Sequence, residues 1–263
     1  MSAVASDFQG TQLFDLTGKV ALITGSTRGI GLAIAENFAK QGAKVVISSR
    51  KAEECEKVTA RLQAAGHQAL SVPCDVGKHD QQKRLVETVL AQWGRIDSLV
   101  CNAATNTNFG PMGKASDEAY DKIMSVNVKS VWQLTSLVIP QMAARKDGTV
   151  IIVGSIAGLQ GNPLLGLYGV GKAALFSMVR NLAAEWGPSN IRVNAIAPGL
   201  VKTDFAKALW ENDALRAARE AATPLRRIGD PDDIGGIAVM LAARAGAFMT
   251  GQVLVADGGV TII

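Results

Sequence analysis

Histidine is nearly missing from this chain of 263 residues, which carries only His67 and His79. Neither has a second metal-ligating side chain at useful spacing, so a zinc site is disfavoured. The absence of a G-x-S-x-G elbow likewise argues against a serine hydrolase. Tyrosine is as scarce, with Tyr120 and Tyr168 alone. The three cysteines, Cys55, Cys74 and Cys101, are scattered and odd in number. They read as small core residues of a reducing compartment rather than as halves of disulfides. No apolar run is long enough to span a bilayer. The first residues lack the basic flank and apolar stretch of a secretory signal, so the expected location is the cytoplasm. The net charge is +4, but the basic residues are dispersed, which does not suggest a nucleic-acid partner. A mild positive excess suits a phosphorylated small molecule.

What is present is a large apolar fraction, 48% against 19% charged, enough for one α/β domain with a full core. Short aliphatic and β-branched runs at 19–24, 44–48, 69–72, 98–101, 149–153, 192–195 and 252–255 predict seven strands. Helical patterns at 30–41, 51–65, 78–93, 116–144, 166–186 and 232–243 alternate with them. The strands are apolar on both faces, as in a buried parallel sheet. The β-α-β rhythm predicts a single doubly wound domain, a parallel seven-stranded sheet with helices on both sides and ligands at the strand carboxyl ends. Residues 1–17 read as a polar lead-in and 18–263 as the domain. An irregular segment over about 199–230 breaks the rhythm and is expected to be a lid over substrate.

The first strand runs into Thr24-Gly25-Ser26-Thr27-Arg28-Gly29-Ile30-Gly31 and then a helix. Glycines at 25, 29 and 31 permit a sharp turn and let backbone N–H groups approach a pyrophosphate at the helix N-terminus. The spacing is G-x-x-x-G-x-G rather than the commoner G-x-G-x-x-G. The second strand ends in Ser48-Ser49-Arg50-Lys51, where a site for NAD would place a carboxylate. With Arg28 from the glycine loop, Ser49 and Arg50 favour a 2′-phosphate and hence NADP(H). Arg50 and Lys51 also fit a solvated helix start.

Tyr168 and Lys172 stand four apart in a helical stretch, which puts both on one face with Cβ atoms about 6 Å apart. An ammonium ~5 Å from a phenol, at an effective dielectric of about 20, would stabilise the phenolate by roughly 3 kcal/mol, or about two pKa units. That shift would bring the phenol toward acid–base work at neutral pH. Tyr120 has no such partner. On its own the pair also fits a solvated helix face.

Taken together, Thr24-Gly25-x-x-x-Gly29-Ile30-Gly31, Asp75, Asn102-Ala103-Ala104, Asn127, Ser155, Tyr168-x-x-x-Lys172 and Pro198-Gly199 resemble the short-chain dehydrogenase/reductase family over about 18–260. The chain is most similar to the NADP-dependent carbonyl reductase branch. The resemblance implies a Rossmann-type fold and a tetrad of Asn127, Ser155, Tyr168 and Lys172. It implies that Ser155 holds the substrate oxygen, Tyr168 exchanges the proton, Lys172 also binds the nicotinamide ribose, and Asn127 holds a relay water. It places the cofactor against Gly25, Thr27, Arg28, Gly29, Ile30, Gly31, Ser49, Arg50, Asp75, Val76, Asn102, Ala103, Tyr168, Lys172, Pro198, Gly199, Val201 and Thr203. Asp75 would meet the adenine amine, the Asn102 backbone the adenosine ribose, and Val201 and Thr203 the carboxamide. It also implies a homotetramer, a dimer of dimers, built on the helix at 116–144, the next helix and the final strand.

From the residues alone, Asn127 reads as a helix irregularity, and Ser155, Asp75 and Thr203 read equally well as caps of local turns. Ala104 replaces a usual glycine. Gly169 and Gly171 flank the tyrosine motif where larger residues are common, and they are expected to widen the space beside Tyr168. The expected activity is NADP(H)-dependent interconversion of a ketone or aldehyde with an alcohol, without metal. The segments 105–112, 156–165 and 203–222 would wall a mainly apolar substrate. A 3-oxoacyl thioester reductase with Arg226-Arg227 as a carrier-docking patch, and a non-catalytic NADPH sensor, are the alternatives.

Overall fold

The computed structural model describes residues 13–263. Seven parallel strands form one sheet in the order β3-β2-β1-β4-β5-β6-β7. They are β1 (Val20–Thr24), β2 (Lys44–Ser48), β3 (Ala69–Ser71), β4 (Ser98–Cys101), β5 (Gly148–Val153), β6 (Ile191–Pro198) and β7 (Val253–Ala256). The helices are α1 (Gly29–Lys40), α2 (Ala52–Ala64), α3 (His79–Trp93), α4 (Asp117–Met124), α5 (Ser130–Arg145), α6 (Gly166–Trp186), α7 (Lys207–Trp210), α8 (Asp213–Ala222) and α9 (Pro231–Ala242). This is the doubly wound, Rossmann-type arrangement that the alternating pattern predicts.

Both sheet faces are dry. β1 is buried along its whole length, as are β4 and β5. One core, with Leu22, Leu99, Val138, Ile152 and Val179, lies under α3, α5 and α6. The other, with Ile23, Phe38, Val45, Ile151 and Ile234, lies under α1, α2 and α9. Each strand therefore feeds alternate residues to opposite layers, which is why its whole run is apolar. The strand order reverses between β1 and β4, the switch point beyond whose strand carboxyl ends sheets of this kind bind ligands.

The described residues include only the last part of the lead-in expected over 1–17. Residues 1–12 lie outside the described residues, but Leu16 is buried at 2% exposure and its amide donates to Gln41 O at 2.9 Å. The single helix expected over 116–144 is two helices joined by a π-turn, Ser125–Lys129. Helical spacing along 116–144 would bury Tyr120 and Trp132 with Ile123, Val131, Leu134 and Val138; the latter four are buried, but Tyr120 and Trp132 are about half exposed.

Candidate active site

At the carboxyl end of β1 the chain turns through Gly25 at φ 68° and Gly29 at φ 55°, a region closed to most side chains. Gly31 is required for a different reason. A Cβ there would sit 2.3 Å from Gly25 O and 2.4 Å from Asn102 Nδ2. The loop is held by its polar residues. Ser26 Oγ donates to Ile23 O at 2.8 Å and accepts from Ser48 N at 2.9 Å. Thr24 Oγ1 accepts from Asn102 N and Ala103 N at 3.1 and 3.2 Å. Asn102 Nδ2 donates to Thr24 O and Gly25 O. Asn102 thus fastens the loop with its side chain, beyond the backbone role expected for it. Thr24 and Ser26 were not among the expected site residues. Their signal was the presence of small hydroxyl residues inside a glycine turn that must satisfy its own backbone.

Gly25 N and Ser26 N both donate to Ser48 O, so the loop lies against the end of β2, beside half-buried Ser49 and exposed Arg50. Among the described residues Arg50 takes part in no ion pair, whereas Arg28 Nη1 lies 3.3 Å from Asp204 Oδ2. Arg28 is the N-cap of α1 and makes no side-chain cap there, so the amides of the first turn face outward. Thr27 and Ile30 are half-buried in the same loop. Asp75 Oδ1 accepts from Gly77 N at 3.0 Å, an Asx-turn that leaves its other oxygen without a donor among the described residues. The Val76 side chain is buried in the core, and its carbonyl accepts from Gln82 Nε2. Pro198 closes β6. Gly199 N donates to Ala256 O at 2.9 Å, and a Cβ at Gly199 would stand 2.8 Å from Asp257 Cα. Val201 is bridged to Gly229, and Thr203 Oγ1 donates weakly to Val201 O at 3.4 Å without capping the turn after it.

The second cluster sits at the carboxyl end of β5. Tyr168 and Lys172, both on α6, are buried at 8% and 3% exposure. Lys172 Nζ donates to Val153 O at 2.7 Å and lies over the Tyr168 ring, 5.4 Å from its centroid. Burial pushes the Tyr168 phenol well above its ordinary value, and the nearby Ser155 hydroxyl partly opposes that rise. Burial also pulls the Lys172 ammonium down to about 8. This corrects the expectation that the cation acidifies the phenol. The ammonium faces the ring and the Val153 carbonyl, and burial is the largest influence on the phenol. The phenol is consequently a protonated group at neutral pH. Ser155 Oγ also accepts from Ala157 N at 3.1 Å, so capping and site roles coexist.

Asn127 is 1% exposed and lies in the π-turn. Its Oδ1 accepts from Thr105 N and its Nδ2 donates to Thr105 O, both at 2.8 Å. The extra residue of the turn swings this amide out of the helix and clamps the loop after β4. The flanking glycines do not widen the space beside Tyr168. A Cβ on Gly169 would meet Ala157 O at 2.5 Å, and one on Gly171 would face Ile123 at 3.6 Å, in the packing against α4.

Above Tyr168 lies the 199–230 segment. The Phe205 ring is 6.0 Å from the Tyr168 ring at 38°, and Trp210 Nε1 donates to Thr203 O at 2.8 Å. From the facing loops come Phe109, Met112, Leu159 and Leu164, each exposed by 42% or more. Gly110 N donates to Leu164 O at 2.9 Å, which joins these loops into one rim.

A family model described as enoyl-(acyl carrier protein) reductase matches residues 25–261. Dehydrogenase/reductase SDR family member 4 of Mus musculus is 43% identical over 244 residues, 93% of this chain and 88% of that protein. The chain belongs to the short-chain dehydrogenase/reductase family. Within it, SDR family member 2 of Homo sapiens, described as mitochondrial, is 40% identical and covers 98% of this chain and 90% of its own length. A gluconate 5-dehydrogenase from Burkholderia cenocepacia, solved with NADP and tartrate, superposes with a TM-score of 0.93 at 32% identity, covering 97% and 99% of the two chains. This short-chain dehydrogenase/reductase is therefore an oxidoreductase of the same fold. Its glycine turn, outward-facing first-turn amides and carboxylate-free β2 terminus form a cradle that fits an NADP-type dinucleotide.

Proposed function

We propose that this protein is an NADP(H)-dependent reductase or dehydrogenase that interconverts a ketone or aldehyde with an alcohol, with Tyr168 as the acid–base group. NADP(H) supplies the hydride. Gly25, Thr27, Gly29, Ile30 and Gly31 would hold its pyrophosphate, Arg28, Ser49 and Arg50 its 2′-phosphate, and Asp75, Val76, Asn102 and Ala103 its adenosine end. Pro198, Gly199, Val201 and Thr203 would seat the nicotinamide end. The B. cenocepacia relative is described with NADP bound, which supports the same cofactor here.

The observation that carries this reading is a buried phenol that lies beside Ser155 and under a buried lysine which, among the described residues, pairs with no carboxylate. In the reductive direction Tyr168 Oη donates its proton to the carbonyl oxygen, which Ser155 Oγ also steadies. A protonated phenol at neutral pH suits that direction. Lys172 holds positive charge near the forming alkoxide and, with the Asn127–Thr105 clamp, leads toward a proton relay. The lid excludes water and presents Phe205 to the substrate. Its apolar rim suits a mainly apolar carbonyl compound.

A second reading is a 3-oxoacyl thioester reductase, since the matching family model is described for acyl-carrier-protein chemistry. Its docking patch is weak here. Arg227 is neutralised by a two-point contact with Asp233, which leaves only Arg226. A non-catalytic NADPH sensor would have no use for Ser155, Tyr168 and Lys172 together. We further propose a homotetramer, for which the exposed Tyr120, Trp132, Val170 and Val255 offer apolar contact area. Light scattering tests the assembly. We propose a cytoplasmic location, where no helix of the described residues is long and apolar enough to cross a membrane, and cell fractionation separates it from the mitochondrial alternative.

Steady-state turnover with NADPH and NADH on ketones, aldehydes and acetoacetyl thioesters tests the activity. NADPH-dependent reduction of apolar ketones is expected. Much faster turnover of the thioesters would transfer the assignment to the second reading, and tight NADPH binding without turnover would transfer it to the sensor.

A further inference from the structure

Arg28 stands between two anionic partners. It projects from the glycine loop with 70% of its side chain exposed, and its Nη1 meets Asp204 Oδ2 at 3.3 Å. Asp204 opens the short 3-10 turn that begins the lid, directly after Thr203. The contact thus joins the cofactor loop to the substrate lid. A second contact runs beside it, since a Cβ on Gly29 would lie 3.1 Å from Thr203 Cγ2. The ion pair is single-pronged, solvated on both sides and longer than the ~2.8 Å of a tight charge-assisted bond. Another anion can therefore displace it at small cost.

The other partner is the phosphate that this cradle is built to receive. Gly25 and Ser26 amides both bind Ser48 O, so the loop carrying Arg28 lies against Ser49 and Arg50. We propose that Asp204 competes with the 2′-phosphate of NADP(H) for Arg28, so that a lid carboxylate sets how strongly the protein prefers NADP(H) over NAD(H). This rests on the reading of Arg28 as a phosphate ligand. A guanidinium grips phosphate best through two parallel N–H bonds, and the contact with Asp204 occupies Nη1. Holding both anions on one guanidinium would also bring like charges together. Asp204 is a positioning residue that acts through Arg28 and need not touch the cofactor. NADP(H) then draws Arg28 off the lid, whereas NAD(H), without the phosphate, leaves the latch closed.

Dissociation constants for NADPH and NADH, read by cofactor fluorescence on the parent, Asp204→Asn, Arg28→Ala and the double variant, test this. Asp204→Asn should bind NADPH about threefold more tightly, the size of an exposed ion pair, and NADH as the parent does. Arg28→Ala should weaken NADPH selectively, and in that background Asp204→Asn should have no further effect. Weaker NADPH binding by Asp204→Asn, an equal gain for both cofactors, or a threefold gain that persists without Arg28 would overturn the competition while leaving the phosphate reading intact. An unchanged NADPH-to-NADH ratio in Arg28→Ala would overturn both.

Discussion

The two ends of the same strands each bury charge, and they treat it differently. At the amino ends, Asp97 is 3% exposed and fully answered. Val20 N donates to it at 2.8 Å, Arg95 Nε reaches both oxygens at 2.9 Å, and Arg145 stands 3.6 Å away. The charge of Arg95 is reinforced by Asp97, which raises its affinity for the proton. At the carboxyl ends, Lys172 is equally buried but, among the described residues, has only the Val153 carbonyl and no carboxylate. Its proton affinity falls instead, to about 8. A satisfied charge fastens β1 to β4 and has nothing left to react with. An unbalanced one costs stability and keeps its capacity for chemistry.

The sharpest way to break the comparison is to delete each charge and read both activity and stability. Lys172→Met should lower kcat by at least about a hundredfold, the usual worth of a positioned acid–base partner, while NADPH-free stability at pH 7 should rise, because the cost of the buried ammonium is removed. Asp97→Ala should do the reverse. It should cost about 3 kcal/mol in urea unfolding, as expected for opening a buried ion pair, with the turnover of the folded fraction intact. A large activity loss in Asp97→Ala would erase the distinction between the two ends.

Titration sharpens it further. Lys172 has a folded value of about 8 against an ordinary 10.5, so between those limits the unfolded chain binds more protons than the folded one. Stability should therefore rise with pH through that window. The penalty is fully present below it, and the gain approaches about 3 kcal/mol above it. Lys172→Met should lack this rise, and equal slopes for parent and variant would contradict the buried ammonium. The smallest effect lies at Gly171. A Cβ there meets nothing closer than 3.6 Å, and Gly171→Ala should stabilise the protein by up to about 1 kcal/mol through helix propensity, with ketone selectivity unchanged. Altered selectivity would restore a role for this glycine at the pocket.

Much of this was legible because it is local. Continuous apolar runs marked strands such as 44–48 and 98–101, where the structure has β2 and β4. Glycines before a helix marked the turn, and four-residue spacing put Tyr168 and Lys172 together on α6. What escaped depends on distant partners. The π-turn is fixed by Asn127 gripping the Thr105 backbone 22 residues away, which no periodicity over 116–144 can reveal. Trp132 has the spacing of a core residue, yet it is 55% exposed because α5 turns that side outward. The phenol's proton affinity was misjudged for the same reason. Spacing fixes how near the lysine is, but burial comes from β5, the turn after it and Phe205 of the 199–230 segment. The latch between Arg28 and Asp204 joins residues 176 apart and has no sequence signal.

The most direct test of the account is Tyr168→Phe, which removes one buried hydroxyl and keeps the ring under Lys172. Ketone reduction should fall by at least about a thousandfold, while the dissociation constant for NADPH stays within about twofold of the parent. Turnover that survives this substitution would contradict the account.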